Sequence, residues 1–80
     1  MIRQIKKYLK SKTKEEIKQI VQHPDLSETE KWLIYYTYAE KRMVINTCHK
    51  LSISERHYHF LKTIALIKLY YILHIKTAQF

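Results

Sequence analysis

LSISERHYHFLKTIALIKL, residues 51–69, is the stretch around which the rest of the chain is read. Ser52-Ile53 reads as a short turn. Ser54 reads as a helix cap, because its hydroxyl can accept from the free N–H groups two or three residues on. Behind it, Tyr58, Leu61, Ala65, Leu66 and Leu69 recur at spacings of three and four, which is one apolar stripe of an α-helix. The opposite face of the first turns carries Arg56, His59, Phe60 and Thr63. An apolar back with a basic, hydrogen-bonding front is what a helix needs to read a major groove. The same pattern also describes an ordinary amphipathic helix with a solvated face, since periodicity reports only burial.

Composition narrows the class. Eighty residues make one small domain of limited core, marginal without a partner or efficient packing. The single cysteine, Cys48, excludes an intrachain disulfide and fits a reducing cytosol. With no Gly and one Pro, β-hairpin turn chemistry is nearly absent, so the expected fold class is all-α. Lys and Arg total 15 against 7 Asp and Glu, a net charge of +8, which favours a polyanionic partner. Arg3, Lys6 and Lys7 follow Met1-Ile2 with no apolar run behind them, so no secretory signal is expected. The most apolar region, Thr63 to Ile75, is interrupted by Lys68 and is too short for a membrane span. The expected location is the cytoplasm.

About five helices are expected in one domain, with basic N-terminal helices over 1–25 and a helix-turn-helix region over 26–75. Residues 2–10 place Ile2, Ile5, Tyr8 and Leu9 at helical spacing, with Arg3, Lys6, Lys7 and Lys10 between them. That helix is expected to pack lightly on the core, as a solvated basic face or as a phosphate-contacting or membrane-surface element. Thr13-Lys14-Glu15-Glu16 has the form of a capping box, opening a helix to about Gln22 that buries Ile17, Ile20 and Val21 before Pro24. Ser27-Glu28-Thr29-Glu30 is a second box, with Leu26 as a candidate hydrophobic staple. The third helix, about 28–38, buries Leu33, Ile34 and the Tyr36–Tyr38 side, while Trp32 and Tyr35 turn towards the N-terminal helices. Ala39 to Arg42 is a polar connection. A short helix over 43–51 aligns Val44, Thr47, Cys48 and Leu51 on one face. The last helix runs over about 54–75, and a frayed tail is expected over 76–80.

A bracing helix, a short helix, a tight turn and a longer basic-fronted helix form a helix-turn-helix pattern. Residues 26–69 resemble the C-terminal region of bacterial sigma factors, which reads the upstream promoter element. The matching residues are Leu26, Ser27, Glu30, Lys31, Leu33, Ile34, Tyr36 and Tyr38, then Leu51, Ser52, Ile53 and Ser54, then Tyr58, Leu61, Ala65, Leu66 and Leu69. The chain departs from the family where Asn46, Thr47 and Cys48 replace Glu, an aliphatic residue and Ala or Gly, and where Ser52 replaces Gly. Nothing matches the sigma regions that bind core polymerase or melt promoters. The resemblance therefore points to the small sigma-like transcription regulators of bacteriophages and prophages, such as late-gene activators. It implies sequence-specific binding to double-stranded DNA in a bacterial host cell.

On that reading Arg56, His57, His59, Phe60 and Thr63 lie nearest the bases, Glu55 and Lys62 flank them, and Lys41, Arg42 and Lys50 meet phosphates, which position without specifying. Phe60 either contacts a thymine methyl or packs under the N-terminal helices. Beyond Thr63 the last helix is apolar on two sides. Ile64, Ile67, Tyr70 and Tyr71 are covered either by the N-terminal helices folding back or by a second copy in a homodimer, and the narrow first helix favours the dimer. A protein-interaction module that binds RNA polymerase or another host factor is the alternative function; a DNA-recognition subunit of a packaging or recombination machine is a third. No enzymatic activity or cofactor is expected, because acids are few and scattered and no glycine loop could hold phosphate. His57 and His59, two apart on a helix, point to nearly opposite sides and cannot share a metal ion. Cys48 reads as a small core residue.

Overall fold

The computed structural model describes residues 2–78, with side chains as far as Leu73. The described residues are all-helical: α1 Ile2–Lys10, α2 Lys14–Ile20, α3 Glu28–Ile34, α4 Val44–Leu51 and α5 Glu55–Ala78, with a π-helical turn, Tyr35–Ala39, closing α3. None of these helices is long and apolar enough to cross a membrane. α5 runs past the expected boundary, through Ala78, and the remainder of the expected frayed tail lies outside the described residues.

Both capping boxes form. Thr13 Oγ1 accepts from the Glu16 N–H at 3.2 Å while Glu16 Oε1 accepts from the Thr13 N–H at 2.9 Å. At α3 the same pair of bonds joins Ser27 and Glu30, at 3.2 and 2.8 Å. Each box satisfies two backbone donors that a helix start leaves free. Leu26 is buried. A staple, however, would need an apolar residue where Lys31 stands, so the core itself anchors Leu26.

α5 is the axis against which α1, α3 and α4 pack, while α2 packs on the π turn. Tyr58, Ala65, Leu66 and Leu69 of α5 are buried with Leu33 and Ile34 of α3. α1 is no lightly packed appendage: Leu9 is fully buried and Ile5 almost so, joined by Ile17 of α2. α1 thus covers part of the α5 face within the single chain. Ile64 and Tyr70 are half-buried within the single chain, and Ile67 and Tyr71 remain exposed at 36% and 52%.

The end of α3 differs from a plain helix. The Glu40 N–H donates to Tyr35 O at 3.1 Å and the Arg42 N–H to Tyr36 O at 2.9 Å, a wider coil than the α-helical pattern. The widening shifts the phase of the side chains. Tyr38 enters the core, and the Thr37 hydroxyl lies 2.8 Å from the Tyr58 hydroxyl of α5. Lys41 then takes left-handed angles, with φ 53°.

α4 ends as the tight turn requires. Ser52 is left-handed, φ 56° and ψ 46°, in the position where glycine would carry no steric cost. Its N–H donates to His49 O at 3.3 Å, and the Ile53 N–H to Cys48 O at 3.1 Å, the paired bonds of a Schellman cap. α5 starts directly after Ser54.

Candidate nucleic-acid interface

The start of α5 is fixed by three local features. The His57 N–H donates to Ser54 Oγ at 3.1 Å, the Tyr58 N–H donates to Ser54 O at 2.9 Å, and the Tyr58 hydroxyl is tied to Thr37. With Tyr58 buried as the pivot, Glu55, Arg56, His57, His59, Phe60 and Thr63 are all exposed. Phe60 is 62% exposed and so does not pack under the N-terminal helices. The Thr63 hydroxyl donates to His59 O at 3.0 Å, and the residue is exposed. Arg56, Phe60, Thr63, Ile67 and Tyr71 follow one another at intervals of three or four. They form one ridge that passes from charged to apolar along the helix.

The expected phosphate contacts separate into two places. Arg42 and Lys50 approach the same ring, that of Tyr36, at 5.4 and 5.6 Å from its centroid, and Trp32 stacks on that ring at 5.5 Å. Arg42 is also bound by Glu40 and, at 2.8 Å, by Asn46 Oδ1, so part of its donor fork is already committed. Lys41, its neighbour in sequence, lies elsewhere. The left-handed backbone sends it into a notch shared with Lys62 of α5 and with Lys6 and Lys10 of α1. Lys62 is half-buried over the rings of Tyr38 and Tyr58, at 5.7 and 5.8 Å. Burial lowers its pKa, and repulsion from Lys6 and Lys10 lowers it further.

Two features of this surface escape the sequence. The meeting of Lys6 and Lys10 with Lys62 depends on how α1 crosses α5, and the acid-free basic run of α1 is the part of it that the sequence shows. The second is Glu30, which is 3% exposed although charged. Lys68 of α5 donates to Glu30 Oε1 at 2.9 Å and to Asp25 O at 3.1 Å, clamping the start of α3 to α5. Burial pushes the Glu30 carboxyl up, but the Ser27 and Lys68 hydrogen bonds outweigh it and hold the pKa below its usual value.

Cys48 is buried, which raises its thiol pKa, and Glu55 raises it further. Among the described residues no group of three His, Cys, Asp or Glu side chains could hold a metal ion. Comparison with family models, characterised proteins and solved structures finds no match to this chain.

Proposed function

We propose that the chain is a sequence-specific double-stranded DNA-binding regulator of transcription, with α4 and α5 acting as a sigma-like helix-turn-helix. The observation that carries this reading is the first two turns of α5. Six side chains with base-edge or phosphate chemistry, Glu55 to Thr63, stand exposed on a helix whose back is locked by Tyr58. Arg56 supplies the fork that matches guanine, and Phe60 and the Thr63 methyl supply apolar contact for thymine. Lys41, Lys50 and Lys62 supply charge for the backbone, with Arg42 partly engaged inside the fold. The cytoplasm of a bacterial cell, carrying a phage or prophage, is the setting that the sigma-like resemblance implies. A second copy docking on Ile67 and Tyr71, flanked by Ile64 and Tyr70, would set two reading helices against two half-sites.

One observation favours the alternative, a module that docks on RNA polymerase or another host protein. Trp32 is 46% exposed beside a groove between α2 and α3, and Met43 and Ile45 at the start of α4 are 77% and 60% exposed. An electrophoretic shift with labelled duplex separates the two readings. DNA binding predicts a complex that a related duplex displaces better than an unrelated one of equal length. No complex at low salt, with retention of purified polymerase on the immobilised chain, selects the alternative.

A further inference from the structure

Lys6 and Lys10, one helical turn apart on α1, Lys41 in the left-handed link, and Lys62 on α5 line one open notch whose wall is Thr37 and Tyr38. The described ion pairs of this chain lie elsewhere: His23 with Asp25, Lys31 with Glu28, Arg42 with Glu40, Lys68 with Glu30. No acidic side chain lines the notch. α1 contributes no acidic residue either, and on its outer side Arg3 and Lys7 extend the same charge. Lys6 and Lys10 repel the ammonium of half-buried Lys62, and Lys41 brings a fourth positive charge to the notch. Water and screening salt soften this repulsion but supply no directed partner.

We propose that the notch is a binding site for one phosphate group, held by the ammonium groups of Lys6, Lys10, Lys41 and Lys62. The donor set argues for phosphate over carboxylate. Lysines bring rotatable point charges that suit a tetrahedral, multiply charged oxyanion, and a carboxylate, planar and singly charged, would leave most of the notch's positive charge uncompensated. The Tyr38 and Tyr58 rings hold the Lys62 ammonium from the apolar side and leave its remaining N–H donors for the ligand. The Tyr38 hydroxyl, whose pKa burial pushes up to about 12, adds no negative charge to the wall at neutral pH. The phosphate comes either from the backbone of duplex DNA or from a free phosphate compound. The first source rests on the proposed function and adds α1 to the DNA footprint, on the flank of α5 away from Arg42 and Lys50.

The test compares the wild type with Lys6→Gln/Lys10→Gln and with Lys14→Gln/Lys18→Gln, which removes the same charge outside the notch. Thermal unfolding is followed in inorganic phosphate and in chloride at equal ionic strength, and duplex affinity is measured over a range of salt. In chloride the notch variant should melt no lower than the wild type, since the change relieves repulsion. In phosphate the wild type and the control variant should gain stability in a saturable way, and the notch variant should not. An equal phosphate response in all three proteins, or none in the wild type, overturns the site. On duplex, the notch variant should lose about tenfold in affinity and up to about two units of salt slope if the ligand is a backbone phosphate. Unchanged duplex binding with a lost phosphate response upholds the site and assigns it to a free phosphate compound. A wild type that binds no duplex removes the proposed function and leaves the site to be judged by the phosphate arm.

Discussion

Ser52 and Lys41 are the described residues with left-handed backbone, and the chain has no glycine to relieve either. Ser52→Gly should stabilise the fold by up to about 1 kcal/mol in denaturant melts, because glycine enters these angles without a clash. A loss instead would mean that the serine side chain holds the turn. Thr47 presents the opposite case: fully buried in α4, its hydroxyl has no hydrogen-bond partner among the described residues. Thr47→Val keeps the shape and removes the stranded hydroxyl, so it should raise stability by about 1 kcal/mol, read in the same melts. Glu30 sets a pH dependence. Its carboxyl has a lower pKa folded than unfolded, so its contribution is present at neutral pH and fades as pH falls through the carboxylate range. Lys68→Met should cost about 1–3 kcal/mol at pH 7 and less at acid pH below the lowered folded-state pKa of Glu30, where the wild type has lost the same interaction. Equal losses at both pH values would mean that Lys68 acts through packing alone. The left-handed Ser52 was legible, because it stands in the tight turn where the resembled family carries glycine, the residue that enters those angles freely. The Glu30–Lys68 clamp was not, since those residues are 38 positions apart and neither pattern points to the other.

At the scale of elements, caps and apolar stripes gave the helices nearly to their ends. Thr13 and Ser27 open α2 and α3 as their sequences require, and Ser54 precedes α5 as its cap. The π turn was invisible, because YYTYA carries no breaker and its extra residue per turn answers to packing of Tyr38 and Thr37 on Tyr58. α1 was underestimated for a related reason: its stripe is narrow, but the width of the α5 face it meets decides how deeply it is buried. Leu9→Ala should therefore cost about 2–5 kcal/mol, as for other fully buried leucines, whereas a lightly packed α1 would lose well under 1. Within α5, Arg56→Ala should cost about 1–3 kcal/mol of specific duplex binding and relax preference at one base pair. Lys41→Ala should weaken binding to all sequences and flatten its salt dependence. Equal, sequence-independent losses from both would remove the reading role from α5.

Over the whole molecule, charge and greasiness are arranged by face. The basic groups of α1 and the notch, the exposed front of α5, and the apolar continuation at Ile67 and Tyr71 all lie on elements that share α5 as their axis. Net charge was legible in the sequence, but which lysines stand together depended on tertiary crossing. Ile67→Asp should lower the melting temperature of the single chain without unfolding it, since Ile67 is only 36% exposed, while dissociating any dimer seen by light scattering at micromolar concentration. A monomeric wild type would end the two-fold contact without touching DNA reading by one copy. The most direct measurement is selection of bound duplexes from a random-sequence pool, followed by competition between the enriched and scrambled sequences. DNA reading by α5 predicts one enriched motif, at least about tenfold preferred by the wild type, with the preference lost at a single position in Arg56→Ala. A pool that stays random through repeated rounds, or a motif that Arg56→Ala reads as well as the wild type does, contradicts it.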